Sequence, residues 1–166
     1  MSCSLRPLAR AHRARFEQLT RGTGVFREEE VATALELLDE SLDGDDDYRF
    51  AGAFDGEQLL GYACWGPTPG TDATYDLYWI VVDRAHQGRG IGTQLLDAVE
   101  QRLTTRDARL VVVETSSRAD YESTRAFYEA RGYTRTATIP GYYAPDDDLV
   151  IYIKDLTTGD LARATS

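Results

Sequence analysis

Val82-Asp83-Arg84-Ala85-His86-Gln87-Gly88-Arg89-Gly90-Ile91-Gly92-Thr93 decides the reading of this chain. An apolar run, 77–82, ends at its left edge. A helical pattern begins at its right edge, and Gln-x-x-Gly-x-Gly occupies the join. Glycines admit close backbone approach, successive N–H groups point one way, and the dipole of the following helix favours negative charge. A strand that runs through such a turn into a helix N-terminus is therefore an anion site. The expected ligand carries phosphates.

Two familiar phosphate binders fail on spacing. A P-loop requires Gly-x-x-x-x-Gly-Lys-Ser/Thr, and the chain's one lysine, Lys154, lies far away. A dinucleotide-binding fingerprint requires Gly-x-Gly-x-x-Gly directly after a strand, whereas the glycines here run Gly88-x-Gly90-x-Gly92. Gln87-x-x-Gly90-x-Gly92 in this setting resembles the pyrophosphate-binding signature of the GNAT superfamily of acyl-CoA-dependent N-acyltransferases. Taken alone, the motif is also readable as a tight turn before a surface helix.

The 166 residues suffice for one domain that buries about two thirds of its unfolded surface. No apolar run approaches the roughly 20 residues of a membrane span, and no hydrophobic signal core follows Met1. Cys3 and Cys64 are too few for a disulfide framework or a metal site, and Cys64, in an apolar strand pattern, reads as a core residue. A cytoplasmic protein is expected, with no metal and no membrane partner. The net charge of −10 opposes the phosphate-backbone attraction behind nucleic-acid binding, so no nucleic-acid partner is expected either. That charge favours cationic partners or serves solubility alone.

Residues 4–8 read as a first strand, and 9–19 and 28–42 as helices. The second helix carries Val31, Ala34, Leu35, Leu38 and Leu42 on one stripe. Residues 48–54 and 58–65 form a hairpin about Asp55-Gly56, a two-residue turn signal. Pro67-Thr68-Pro69-Gly70 breaks the chain before a strand over 74–82. The helix after the glycine turn spans about 90–103, with Ile91, Leu95, Ala98, Val99 and Leu103 as its buried stripe. Leu110-Val111-Val112-Val113, in a strand over 109–115, has the continuous apolar character of a strand covered on both faces. A helix over 119–131 closes at Gly132. Strands over 133–139 and 149–154 follow, separated by a loop bearing Tyr142-Tyr143 and Asp146-Asp147-Asp148. Residues after Leu156 read as frayed. Without repeats or a linker, the chain is expected to be one α/β domain over 1–166, its core about 4–156. Strand, helix, strand across 74–115 makes a right-handed parallel crossover in a mixed sheet.

A second motif lies on a second element. Thr124-Arg125-Ala126-Phe127-Tyr128-Glu129-Ala130-Arg131-Gly132-Tyr133 resembles the GNAT helix whose aromatic-Tyr-Glu-x-x-Gly-Phe/Tyr ending precedes the sixth strand. The order of elements is similar over about 4–156. The resemblance implies a mixed, mostly antiparallel sheet of about seven strands with flanking helices. It also implies a V-shaped splay between strands 4 and 5, where the co-substrate acetyl-CoA binds. Carried over by motif, the backbone of Gln87, Gly88, Arg89, Gly90, Ile91 and Gly92, with Thr93, holds the pyrophosphate. Ile80, Val81 and Val82 line the pantetheine arm. The Arg89 side chain is best placed to add a charge-assisted phosphate contact, and is also readable as an ordinary solvent-exposed arginine. Arg125 and Arg131 are readable as contacts to the adenosine end or as ordinary surface residues.

There is one departure. Where the family often has an asparagine seven positions before the tyrosine, this chain has Tyr121. Tyr121, Thr124 and Tyr128 share a helical face at offsets of three and four, and Ser116, Ser117 or Ser123 is a candidate for the missing polar contact. Dimers are frequent in the family, so a homodimer is one expectation.

Acetyl transfer from a thioester to an amine needs a neutral amine, a polarised carbonyl and a protonated leaving thiolate. A lysine-type ammonium has a reference pKa of about 10.4, so a positioned base helps at neutral pH. Asp76 is the first candidate base because it interrupts an apolar and aromatic strand, at a place where similar histone acetyltransferases carry glutamate; it is also readable as a carboxylate that satisfies a strand-end or loop amide. Glu114, at the end of the fifth strand, is the second, and a relay water is a third route. Histidine is a residue type that often serves as a base, but His86 sits in the approach to the phosphate turn. The resemblance makes Tyr128 the general acid, against its alternative as a core aromatic beside Phe127. A backbone N–H near Val81 would polarise the thioester carbonyl. Glu28-Glu29-Glu30, Asp45-Asp46-Asp47, Asp146-Asp147-Asp148 and Tyr142-Tyr143 suit a small-molecule, amino-acid-like amine acceptor through ion pairing and cation–π contact. The acidic loops are equally readable as solvated surface; a protein lysine or N-terminus as acceptor, a non-catalytic acyl-CoA sensor, and a partner for a basic protein through those loops are the alternatives.

Overall fold

Residues 2–158 are described by the computed structural model. Among them lie seven strands: β1 (Ser4–Arg6), β2 (Arg49–Asp55), β3 (Gln58–Pro67), β4 (Thr74–Val82), β5 (Leu110–Ser116), β6 (Thr134–Ala144) and β7 (Asp147–Asp155). They form one sheet in the order β1-β2-β3-β4-β5-β7-β6. The helices are α1 (Arg13–Gly22), α2 (Glu28–Leu42), α3 (Ile91–Thr104) and α4 (Glu122–Ala130). This is the expected mixed α/β sheet. The β4–β5 ladder is parallel, as the crossover through α3 requires, and the β1–β2, β2–β3, β5–β7 and β6–β7 ladders are antiparallel. The β4–β5 register holds only three pairs, Thr74↔Leu110, Tyr75↔Val111 and Asp76↔Val112.

The chain divides into two compact units, Met1–Pro67 with Tyr78–Leu103, and Thr68–Leu77 with Thr104–Ser166. In the first, α2 spans the residues its apolar spacing predicts, and Val31, Ala34, Leu35 and Leu38 are buried. Three consecutive glutamates in its first turn favour the positive end of the helix dipole. Phe16 of α1 stacks on Tyr62 of β3 at 4.1 Å, and Phe50 of β2 closes the same core edge-on to Phe16 at 5.7 Å. The buried phenol of Tyr62 lies 2.8 Å from Thr20 Oγ1, which donates to the Phe16 carbonyl. Satisfying that hydroxyl removes the penalty of burying it, and each fully buried ring or leucine here contributes about 1.5–3 kcal/mol. Cys64 lies in the same core, and burial pushes its thiol pKa well up.

In the second unit, Val111 and Val113 of β5 are buried with Leu149, Val150 and Tyr152 of β7. Val112 is only half-buried and Glu114 is exposed, so β5 alternates rather than being covered on both faces.

Several boundaries differ from the sequence reading. A 3-10 turn, Arg10–His12, precedes α1, which runs on to Gly22. The β2–β3 turn is one residue further along, because Asp55 still pairs with Gln58. In α3, Leu96 takes the buried place assigned to Ala98, which is half-buried. Residues 140–144 belong to β6 instead of a loop, since register shifts between Ile139 and Ala144 absorb Pro140 and Gly141 within the hairpin. Asp147 begins β7 and is buried. Of the end expected to fray, Thr157 and Thr158 are hydrogen-bonded to Asp155, and the rest, from 159 onward, lies outside the described residues. No helix among the described residues is long and apolar enough to cross a membrane.

Candidate functional site

The glycine turn has the local structure its residues demand. Asp83 follows β4 and caps a 3-10 turn, Arg84–His86, its carboxylate accepting from the Ala85 amide at 3.2 Å. Arg15 of α1 donates to the same carboxylate at 2.6 Å, and His86 Nδ1 lies 3.1 Å from it. Burial opposes the Asp83 charge, but the Ala85 amide, Arg15 and His86 outweigh it and lower its pKa. His86 thus belongs to the scaffold of the turn. Gly88 and Gly90 adopt φ of +75° and +80°, which side chains rarely tolerate, and no protein atom lies within 4 Å of where their Cβ atoms would be. Gln87 to Gly90 are exposed and Ile91 is buried as the anchor of α3. The first bond of the α3 ladder is Gln94 N to Gly90 O, so the amides of Ile91 and Gly92 precede that ladder. Arg89 is exposed and, among the described residues, has no ion-pair partner. Upstream, the Val81 side chain is in the core, while a Cβ on Gly61 would come 2.6 Å from the Val81 carbonyl. The β4 backbone at Val81 and Val82 runs close over β3 for want of a side chain there.

The carboxylates form a second cluster. Asp76 faces Val112 in the last pair of the β4–β5 ladder, and Glu114 lies two residues further along β5. Partial burial, and then the charge of Asp76, raise the Glu114 pKa. Thr68 Oγ1 donates to Asp76 Oδ2 at 2.8 Å. Tyr143 of β6 is half-exposed, and its pKa is pushed up to about 12 by burial and then by Glu114, with Tyr142, Asp147 and Tyr121 adding to it. Tyr142 meets Tyr143 edge-on at 5.0 Å. Among the described residues no arginine, lysine or histidine pairs with Asp76 or Glu114. The arrangement is two uncompensated carboxylates beside half-exposed phenol rings, which suits an organic cation.

Tyr128 is buried in α4, between Phe127 at 5.3 Å and Tyr133 at 5.4 Å. Burial raises its pKa strongly, and among the described residues its hydroxyl has no hydrogen-bond partner. Such a phenol holds its proton at neutral pH. Tyr121 caps α4 from within a 3-10 turn, Ala119–Tyr121, so the uniform helical face drawn through Tyr121, Thr124 and Tyr128 is broken at its first member. Arg118 lies over the Tyr121 ring at 5.3 Å.

Asp76, Glu114 and Tyr143 are brought together, whereas other expected groups serve the scaffold. Arg125 donates to the carbonyls of Ser116 at 2.7 Å and Arg118 at 2.9 Å, tying the end of β5 to α4. Arg131 donates to the Phe127 carbonyl and stacks on that ring at 3.7 Å. Ser116 donates to the buried Asp147 carboxylate, and Ser117 Oγ accepts from the Asp148 amide, so these serines are engaged within the protein. Two residues escaped the sequence reading. Thr68 had been read only as part of a chain break, and Arg15 shares no local pattern with Asp83.

A family model described as the acetyltransferase (GNAT) family matches residues 11–133, which ends ahead of β6 and β7. The N-alpha-acetyltransferase RimI of Mycobacterium tuberculosis is 37% identical over 98 residues. That match covers 57% of this chain and 58% of the relative, so the chain spans little more than half the length of the curated relative it matches. A crystal structure from Desulfovibrio desulfuricans, described as an acetyltransferase of the GNAT family, superposes with a TM-score of 0.88 at 36% identity, over 93% of this chain and 99% of that one. An aminoglycoside 6′-N-acetyltransferase complexed with coenzyme A shares the fold, with a TM-score of 0.77 at 19% identity over 92% and 97% of the two chains.

Proposed function

The chain belongs to the acetyltransferase (GNAT) family, and on that premise we propose that it transfers an acetyl group from acetyl-CoA to a primary amine. The observation that carries the acceptor end is the pair of carboxylates, Asp76 and Glu114, with no cation of the chain's own among the described residues. An amine arriving as ammonium supplies that cation. Asp76 meets the ammonium, and Glu114, with the raised pKa, takes its proton. This moves the base from Asp76, the first candidate from sequence, to Glu114.

Acetyl-CoA fits the residues of the turn. The backbone of Gln87 to Gly92, with Thr93, binds the pyrophosphate, Arg89 adds a cation at its edge, and Ile80 to Val82 run beside the pantetheine. The neutral amine attacks the thioester carbonyl carbon directly, forming C–N as C–S breaks. Two protons leave the ammonium. One passes through Glu114 to water, and the second replaces the proton that Tyr128 gives to the thiolate.

The acceptor is a small or amino-acid-like amine recognised by Asp76, Glu114 and Tyr143. Tyr142 and Tyr143 lie beyond the residues matched by the family model, so this hairpin carries the chain's own specificity. The relative named as an N-alpha-acetyltransferase favours a second reading, the α-amine of a protein N-terminus. Thiol release from acetyl-CoA is the test, across polyamines, amino-acid amides, lysine peptides with blocked N-termini and peptides with free N-termini. Turnover with small amines supports the first reading, and turnover confined to free N-terminal peptides supports the second. Coenzyme A binding with no thiol release from any amine overturns the transferase reading.

A further inference from the structure

We propose that Thr68 is a positioning residue, whose hydroxyl pins the Asp76 carboxylate beside Glu114 and leaves the second Asp76 oxygen for the amine. The amine's part in this rests on the function proposed above. Pinning itself rests on geometry.

Thr68 Oγ1 donates to Asp76 Oδ2 at 2.8 Å, and among the described residues it is the one hydrogen-bond donor to that carboxylate. Its own backbone is held by two hydrogen bonds, and Arg109 fastens the residues that follow it. The Thr68 amide donates to the Thr74 carbonyl at 2.9 Å, and Thr71 Oγ1 donates to the Thr68 carbonyl at 2.7 Å. Arg109, just ahead of β5, donates through Nε and Nη2 to the Asp72 carbonyl and through its amide to the Ala73 carbonyl at 2.8 Å. Between these ties Ala73 adopts φ of +58°, a conformation alanine rarely takes unless its surroundings impose it. Residues 68–73 thus make a short clamp fastened at both ends, with the Thr68 hydroxyl turned onto Asp76.

The clamp answers a specific problem. Asp76 and Glu114 repel each other, and no guanidinium or ammonium of the described residues lies between them. An unrestrained aspartate relieves such repulsion by rotating away. A hydroxyl donor on one oxygen stops that rotation without neutralising the charge, which an arginine would do. The titratable groups facing Glu114 are Asp76 from β4 and Tyr143 from β6. Tyr121, Tyr142 and Asp147 act in turn on Tyr143.

Thr68→Val keeps the shape and removes the donor, and Thr68→Ser restores it. Carbon-13 NMR titration of the Glu114 carboxyl in the full chain reads the effect without an acceptor. Expected is a Glu114 midpoint that falls by about half a pH unit or more in Thr68→Val, because Asp76 swings away. Thr68→Ser should return it, and Thr68→Val should add nothing to Asp76→Asn. An unchanged midpoint in Thr68→Val, or additive effects with Asp76→Asn, overturns the proposal whatever the thermal stability of the variants. Turnover separates it from the function it serves. A fallen midpoint with Asp76→Asn acetylating amines at the native rate overturns the assigned role of Asp76 in the reaction and leaves the pinning intact.

Discussion

Glu114 of β5 and Asp76 of β4 interact as like charges, and Glu114 is held above the ordinary glutamate range partly by that neighbour. A base in this position loses activity as pH falls through its raised pKa. Removing the Asp76 charge lowers the Glu114 pKa, so the base form survives to lower pH. Asp76→Asn should therefore shift the acidic limb of kcat/KM downward in pH, while Glu114→Gln should cost about 10²-fold or more at neutral pH. A pH–rate series checks both, and an unmoved limb in Asp76→Asn separates the two carboxylates functionally.

Tyr128 keeps its proton because burial disfavours the phenolate. Tyr128→Phe preserves the ring contacts with Phe127 and Tyr133 and breaks no internal hydrogen bond among the described residues. Its melting temperature should stay close to that of the native chain and coenzyme A affinity should hold, while kcat falls about 10²-fold. Calorimetric binding beside steady-state kinetics distinguishes this from a packing defect, which would weaken stability and binding together.

Gly90 has φ of +80° with open space above it. Gly90→Ala should fold with a penalty of about 1 kcal/mol from that backbone conformation. Gly90→Glu adds a negative charge and bulk where phosphate is expected, so titration with coenzyme A should show binding lost. Binding by Gly90→Glu at native strength would remove the turn from the phosphate role. Arg89→Ala should weaken binding modestly, and more at low salt than at high.

Asp83 has a lowered pKa in the folded chain, so its contribution is fully present above the unfolded value of about 3.9 and fades as pH falls through the folded one. Asp83→Asn should lower stability near pH 7 and flatten its decline on acidification in that window. Denaturant melts between neutral pH and pH 3 measure the difference. Because Asp83 also caps the turn, Asp83→Ala should cost about 1 kcal/mol.

Much of this fold was legible because the signals are local. The 74–82 strand and the 28–42 helix follow from apolar spacing within a single element. The glycine turn follows from residues adjacent in the chain whose φ values only glycine adopts easily. The β6–β7 hairpin was misread for the converse reason. Pro140 and Gly141 usually end strands, and here cross-strand pairing to β7 carries them through a register shift.

The sequence by itself determined the order of elements, the glycine turn and the identity of Asp76, Glu114 and Tyr128 as candidates. Their chemical types and spacing along the chain are enough for that. Only the tertiary structure decided which of them interact. Arg15 reaches Asp83 across 68 positions, and Arg125 reaches back to the Ser116 carbonyl. Thr68 finds Asp76 only because a clamped loop returns it to the strand. Electrostatic shifts and hydrogen bonds depend on distance through space, so the raised carboxyl of Glu114 has no signature in residue order. It arises where two strands bring like charges together.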